Sequence, residues 1–163
     1  MTNAAKRTTT RASAEPVSKA RLRLWLRLLK LTGGIETEIK GRLRDQHDTT
    51  LPRFDVMAAL ERHREGLKMS ELSGYLKVSN GNVTGIVDRL TDEGLAIRVD
   101  VPNDKRAQLA RLTPKGLKVF RALAVQHEAW IDELLGTLSK QRVRELMTLL
   151  ERVTPQESKD ELH

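Results

Sequence analysis

Small polar side chains and glycines alternate over a short run near the middle of the chain, Ser79-Asn80-Gly81-Asn82-Val83-Thr84-Gly85. An asparagine amide can pair with the edge of an adenine base, and a threonine can contact a thymine methyl group or a phosphate. Gly81 and Gly85 are one helical turn apart, and a glycine inside a helix costs roughly 1 kcal/mol relative to alanine. Two glycines on one exposed face indicate close approach of another backbone or a ligand; the alternative is turn and cap chemistry that happens to be exposed.

A second group of reactive side chains lies at a predicted hairpin turn, Pro102-Asn103-Asp104-Lys105-Arg106. Pro-Asn-Asp is typical of a tight turn, and the two cations follow it on the projecting loop. An arginine in this position can enter a DNA minor groove, with Asp104 holding the arginine or the loop in shape. An ordinary solvated turn is the alternative.

Arg89 lies near the end of the intervening helix and is either a phosphate contact or a partner for a neighbouring carboxylate. The residues predicted to contact DNA are Ser79, Asn80, Asn82, Thr84, Arg89, Asp104, Lys105 and Arg106. The small residues from Asn80 to Gly85 suggest that this helix recognises DNA by fitting closely against it. Arg106 is therefore expected to be the main positively charged side chain that contacts DNA.

The helices and strands that position these residues are predicted from the spacing of apolar residues and from the residues that typically begin or end a helix. Helices are predicted over 69–77 and 79–92, with a turn at 78–79, and Gly94 ends the second helix. Two strands, over 95–101 and 107–112, then form the hairpin. A helix-turn-helix followed by a basic hairpin places its second helix in the DNA major groove and its hairpin in an adjacent groove.

Longer helical patterns flank this unit. Residues 18–47 are apolar on more than one side, which is typical of a helix buried both by its own domain and by a second subunit. Gly33-Gly34 should bend or loosen that helix. Thr49 or Thr50 offers the N-cap of a helix from Leu51 to about Arg64, which has proline in its first turn. Thr113-Pro114 opens another helix. Ser139 caps the last one.

The predicted fold is therefore mainly α with a small β-hairpin wing (α+β). We expect a disordered basic arm over 1–17, a winged helix-turn-helix lobe over 51–113, dimerisation helices over 18–47 and 114–153, and a polar tail over 154–163. Leu67-Lys68 is too short for more than a β-bridge.

The net charge of +7 is concentrated at one end. Residues 1–30 hold eight of the 29 basic residues and one of the 22 acidic residues, so the remaining 133 residues are neutral overall. A neutral body with a basic arm indicates a protein that binds DNA specifically and whose arm adds electrostatic attraction, or an arm that contacts DNA itself.

Composition excludes several classes of protein. There is no cysteine, hence no disulfide, thiol sensor or cysteine metal site. The chain has no apolar run long enough to span a membrane and no signal-peptide pattern, so a cytoplasmic location without membrane contact is expected. No nucleophile–base pair, paired-carboxylate motif or phosphate loop appears, so the chain is not predicted to be an enzyme and no cofactor is expected.

The hairpin run from Asp104 to Gly116 resembles the wing signature of the MarR family of bacterial transcriptional regulators, Asp-x-Arg followed by Leu-Thr-x-x-Gly. The preceding run from Val87 to Arg98 is similar to the family's recognition-helix end and wing start. The similarity of pattern covers about residues 20–153. It implies a homodimer on a pseudopalindromic DNA operator. We expect the chain to be a repressor and to act in aromatic-compound catabolism. Many relatives carry a larger or charged residue where Gly85 stands, which shifts base reading to the flanking polar residues.

The resemblance also implies release from DNA by a small molecule, often an aromatic acid or its CoA thioester, bound between the dimer helices and the winged lobe. The candidate ligand-binding residues are Trp25, Arg42, Arg53, His63, Arg64, Arg23, Arg27 and Lys30. An arginine can pair with a ligand carboxylate. Arg23, Arg27 and Lys30 form a stripe that would serve the phosphates of a CoA ester; the alternative for that stripe is a solvated face.

Metal binding is not predicted. Zinc sensing is known in the family, but His47, His63 and His127 provide no pair of ligands at helical i,i+4 spacing.

The alternative to a ligand-responsive regulator is an effector-independent architectural DNA-binding protein. A winged lobe used only for protein contacts is a third hypothesis, and it predicts no salt-dependent DNA binding.

Overall fold

The computed structural model describes residues 16–76, 80–101 and 104–153, without the side chains of 80, 101 and 104–107. Ser79, the hairpin turn at 102–103, most of the predicted arm and the polar tail lie outside the described residues. Contacts divide the chain into two compact units, Met1–Glu36 and Thr37–His163. Among the residues that the structure describes, none of the helices combines the length and the hydropathy that a membrane span requires.

Six helices and three strands follow one another in the described chain. Their order is α1 (Val17–His47), α2 (Leu51–Arg62), β1 (Leu67–Lys68), α3 (Met69–Leu76), α4 (Asn80–Asp92), β2 (Ala96–Val101), β3 (Asp104–Leu112), α5 (Pro114–Leu134) and α6 (Lys140–Val153). Mainly helical structure with a small antiparallel sheet confirms the predicted fold class. α1 begins at Val17 and continues through Gly33 and Gly34 without a break.

Helix starts follow the predicted cap chemistry. The Thr50 side chain accepts a hydrogen bond from the Arg53 backbone N–H, and Thr113 does the same for Gly116. Proline occupies the first turn of both α2 and α5, where its missing N–H leaves no bond unmade. At the last helix, the Arg142 backbone N–H donates to Ser139 Oγ over 3.4 Å. The caps therefore set where α2, α5 and α6 begin.

The sheet has the order β1-β3-β2, with both pairings antiparallel. β2 and β3 form the predicted hairpin, with an irregularity in register between Asp100 and Val101. Leu67 and Lys68 form a two-residue strand on the other edge of β3, which is more than the predicted bridge. The hairpin is therefore tied to the helical lobe through β1.

An aliphatic and aromatic core holds the second unit together. The fully buried side chains include one from each of four helices, namely Leu43, Leu60, Leu72 and Leu90. Burying a leucine contributes about 1.5–3 kcal/mol relative to exposure. Between α2 and α5, the Phe54 ring packs at 5.4 Å from Phe120 and stacks at 4.7 Å on His127. The three rings fix α2 against α5.

Candidate nucleic-acid interface

Helix α4 presents two opposite faces. Val83, Val87 and Leu90 are completely buried and anchor the helix to the lobe. Thr84, which is predicted to contact DNA, is only partly exposed. The outer face carries the small and polar residues Gly81, Asn82, Gly85, Asp88 and Arg89, all of them exposed. The predicted division of this helix into an apolar inner side and a small, polar outer side is present in the structure.

Open space surrounds the two glycines of this face. A Cβ built on Gly81 or Gly85 meets no atom within 4 Å. The lobe itself therefore does not require glycine at either position. Because glycine weakens a helix, its presence here fits an external surface that comes close to the helix backbone.

Arg89 extends from the outer face near the end of α4. Its side chain is exposed and makes no ion pair or side-chain hydrogen bond with the residues that the structure describes. Its neighbour Asp88 is instead paired with Arg98 of β2, with 2.6 Å between Oδ1 and the guanidinium nitrogen. Of the two alternatives for Arg89, the phosphate contact is therefore the one that this arrangement favours.

The wing projects from the lobe on β2 and β3. Asp100 pairs with Gln108 across the hairpin, and the Gln108 amide donates to the Asp100 carboxylate over 3.0 Å. The second strand is expected from 107, but β3 begins at Asp104, because Asp104 pairs with Val101 across the hairpin. The backbone of Asp104, Lys105 and Arg106 therefore lies in the strand and not in the turn. Their predicted contacts with DNA stay predictions, as do those of Ser79 and of the Asn80 side chain.

The turn between α4 and β2 is fixed by contacts from two helices. Gly94 has φ +70°, a left-handed conformation that suits glycine and ends α4 as predicted. The two terminal guanidinium nitrogens of Arg53 donate to the Glu93 carboxylate, Nη1 over 2.6 Å. These hydrogen bonds lower the pKa of Glu93, the nearby Lys115 ammonium contributing in the same direction.

Each of the three predicted ligand-binding arginines of the second unit forms an ion pair. Arg42 binds Glu133 over 2.7 Å and Glu38 over 2.8 Å, and its guanidinium lies 6.0 Å from the Trp130 ring centroid. Hydrogen bonding to both carboxylates raises the pKa of Arg42, and Arg42 lowers that of Glu133. Arg53 binds Glu93, as described above, and therefore faces the end of α4.

Arg64 and His63, the other predicted ligand residues of the second unit, have different neighbours. Arg64 pairs with Glu61 over 3.1 Å, and the His63 ring lies 5.1 Å from the Tyr75 ring. His63 also lines a cavity of about 300 Å³ between α2 and α3. In the first unit, Trp25 is 56 % exposed. Also exposed there are Arg23, Arg27 and Lys30.

The histidines considered for metal binding have separate surroundings. His47 Nε2 lies 2.9 Å from Gln126 Oε1, while His127 stacks on Phe54 and burial lowers its pKa. No group of three potential metal ligands occurs among the described residues.

Sequence patterns did not predict the ion pairs that link elements. The carboxylate of Glu93 and the guanidinium of Arg53 are 40 positions apart, and each resembles an ordinary surface charge. Asp88–Arg98 was likewise not predicted. The closest hints in the sequence are the capping threonine before α2 and Gly94 after α4, because they locate the backbone from which Arg53 and Glu93 extend.

Comparison with known proteins identifies relatives of this arrangement. The family model described as "MarR family" matches residues 47–107. The transcriptional activatory protein BadR of Rhodopseudomonas palustris is 30 % identical over 145 residues, which are 83 % of this chain and 79 % of that protein.

Solved structures are similar over a larger share of the chain. A MarR family transcriptional regulator from Silicibacter pomeroyi is 34 % identical, with TM-score 0.70 over 85 % of this chain and 96 % of that one. A mutant of MarR from E. coli, complexed with operator DNA, is 26 % identical, with TM-score 0.68 over 86 % of this chain and 100 % of that one.

Proposed function

The chain belongs to the MarR family of DNA-binding transcriptional regulators, which are not enzymes, and from this premise we propose that it is a ligand-released repressor. It binds a pseudopalindromic operator as a homodimer. A small aromatic acid, or the CoA thioester of one, releases it. Genes of aromatic-compound catabolism are the proposed targets.

The outer face of α4 is the observation that carries the DNA-binding part of the proposal. It combines two glycines in open space with Asn82 and the exposed Arg89. Such a face can lie deep in a major groove, where an asparagine amide reaches a base edge and an arginine reaches a phosphate. The similarity to a MarR mutant that was solved in complex with operator DNA supports DNA binding by this chain.

Exposed apolar side chains support the homodimer. Every residue of α6 is exposed in the single chain, and its apolar residues follow helical spacing. Those on one face are Val143, Leu146, Met147, Leu150 and Val153. A continuous apolar face of this kind marks a protein interface. Two copies related by a two-fold axis would place two α4 helices on half-sites about one DNA turn, or 10 bp, apart.

Ion pairs within the second unit constrain how an acidic effector could bind. Arg42 and Arg53 already have carboxylate partners, so an acidic ligand must displace Glu133 or Glu93 to reach them. This observation favours the second candidate function, an effector-independent architectural DNA-binding protein.

A gel-shift assay with the DNA flanking the chain's own gene tests both candidates. Specific, salt-dependent binding supports a regulator. Release by benzoate, by hydroxybenzoates or by their CoA thioesters then supports the ligand-released repressor, whereas binding that none of them alters supports the second candidate. A reporter gene under the bound promoter separates repression from activation; BadR is named as an activatory protein.

Two substitutions test the contact assignment. We expect Arg106→Ala and Asn82→Ala each to weaken operator binding by about 1–3 kcal/mol if the side chain reads a base or groove. Arg121→Ala is the matched control, since it removes one exposed cation from α5. Operator binding that survives both substitutions unchanged contradicts the assignment.

A further inference from the structure

The turn after α4 is held by the start of α5. Thr113 Oγ1 donates to the Gly94 carbonyl over 2.7 Å, and the Lys115 ammonium donates to the Glu93 carbonyl over 2.9 Å. The Thr113 N–H also donates to the Leu95 carbonyl over 3.0 Å. These bonds fix the backbone from which the Glu93 side chain extends.

The start of α2 holds the same turn through a side chain. Arg53 lies in the first turn of α2, and its guanidinium binds both oxygens of Glu93. A planar guanidinium paired with a carboxylate at two points fixes relative orientation as well as distance. The Arg53 side chain is only 21 % exposed, and that of Glu93 is 46 % exposed.

Arg53 is itself fixed to the core. Its backbone N–H donates to the capping Thr50, and the next residue, Phe54, is buried against Phe120 and His127 of α5. The guanidinium therefore extends from a firmly packed helix to the far end of α4. It connects the aromatic cluster between α2 and α5 to the helix that presents Asn82 and Arg89.

We propose that Arg53 is a positioning residue for operator binding, which sets the orientation of α4 through its paired contact with Glu93. The inference rests on the proposed reading of DNA by α4. Several contacts along α4 must meet the DNA at the same time, so a small rotation of the helix weakens all of them together. A partly exposed ion pair contributes little to overall stability, so the effect falls on DNA affinity.

A purely electrostatic explanation predicts the opposite change in DNA affinity for the Glu93 variant. Glu93→Gln removes a negative charge, so through electrostatics alone it would strengthen DNA binding, whereas Arg53→Gln would weaken it. Positioning requires both variants to weaken binding. The signs of the two changes therefore separate the explanations.

The experiment measures affinity for the operator and for a scrambled duplex at one salt concentration, together with the melting temperature. We expect Arg53→Gln and Glu93→Gln each to weaken operator binding by about tenfold, with less than about a twofold change on scrambled DNA. The exchanged pair, Arg53→Glu with Glu93→Arg, should restore operator affinity to within about threefold. Arg121→Gln is the control, because it breaks the ion pair with Glu61 elsewhere on α2.

Each remaining outcome counts against the inference. Tighter operator binding by Glu93→Gln, unchanged binding by both single variants, or an exchanged pair with native melting temperature and no recovery of affinity overturns it. Equal losses on operator and scrambled DNA also overturn it. If the wild-type protein binds no DNA, the proposed function fails and the inference fails with it. Wild-type operator binding with an unaffected Arg53→Gln variant overturns the inference alone.

Discussion

Among single residues, Gly85 shows most clearly that helix stability and the proposed function favour different side chains. It lies in the middle of α4, where alanine would be the better helix former, and the space around it is open. A residue that weakens its own helix without a packing reason fits a role in contacts outside the chain. Gly81 has the same open surroundings one turn earlier.

We predict that Gly85→Ala raises the free energy of unfolding by roughly 1 kcal/mol, while weakening operator binding by about tenfold. The added methyl group stabilises the helix but separates its backbone from the DNA. Urea unfolding and gel-shift titration measure the two effects. Gly74→Ala is the matched control, since Gly74 is also helical and in open space. It should gain stability and keep its DNA affinity, and native affinity in Gly85→Ala would contradict the close approach.

Partial burial of His127 should make the stability of the fold depend on pH. Burial lowers its pKa in the folded protein below the ordinary value of 6.5, so the unfolded chain binds a proton more readily. We therefore predict that stability is constant above about pH 7 and falls as the pH is lowered through 6.5.

Urea unfolding at pH 7.5 and at pH 5.5 measures this loss in about the range where histidines titrate. His127→Gln should show a smaller loss of stability between the two pH values than the wild-type protein. An equal loss in both would mean that protonation of His127 does not oppose its stacking on Phe54.

At the scale of elements, the sequence predicts helix starts better than helix ends or contacts between elements. Thr50 and Thr113 cap α2 and α5 because the cap is a bond between near neighbours. By contrast, α2 ends at Arg62 rather than about Arg64, and the two-residue β1 joins the sheet through pairing with distant Leu109 and Ala110. Such pairing depends on tertiary packing, which local patterns do not contain.

The same distinction applies to the candidate site. The outer face of α4 follows from periodicity, because one buried stripe leaves one exposed stripe. The pairing of Arg53 with Glu93, and of Arg42 with Glu133, depends on side chains far apart in sequence. For that reason the sequence locates Arg42 and Arg53 on their helices but does not identify their carboxylate partners.

Packing between α5 and the turn before β2 depends on one glycine. A Cβ on Gly116 would lie 1.9 Å from the Leu95 carbonyl oxygen, and backbone cannot move aside as a flexible side chain can. We predict that Gly116→Ala lowers the free energy of unfolding by about 2 kcal/mol, within the usual range for overpacking. Urea unfolding measures it, and a stability equal to that of the wild-type protein would show that α5 can shift away from the turn.

For the whole molecule, DNA affinity should depend on assembly, because the charge outside residues 1–30 sums to zero. In the proposed binding mode one α4 helix and one wing would make few phosphate contacts, so a single copy would lack much of the electrostatic contribution to DNA affinity. A dimer doubles the contacts and brings two basic N-terminal segments to one operator. The second helix then binds at the high effective concentration set by the first.

We therefore predict that Leu146→Glu combined with Leu150→Glu converts the proposed dimer to a monomer and weakens operator binding by at least about a hundredfold. Both leucines are exposed in the single chain, so the lobe should keep its fold and its melting temperature. Thr148→Glu is the control, because it adds a carboxylate on the opposite side of α6. Sedimentation gives the mass and gel shift gives the affinity. A double variant that remains dimeric would place the interface elsewhere, whereas a monomer with native operator affinity would show that one α4 and one wing suffice.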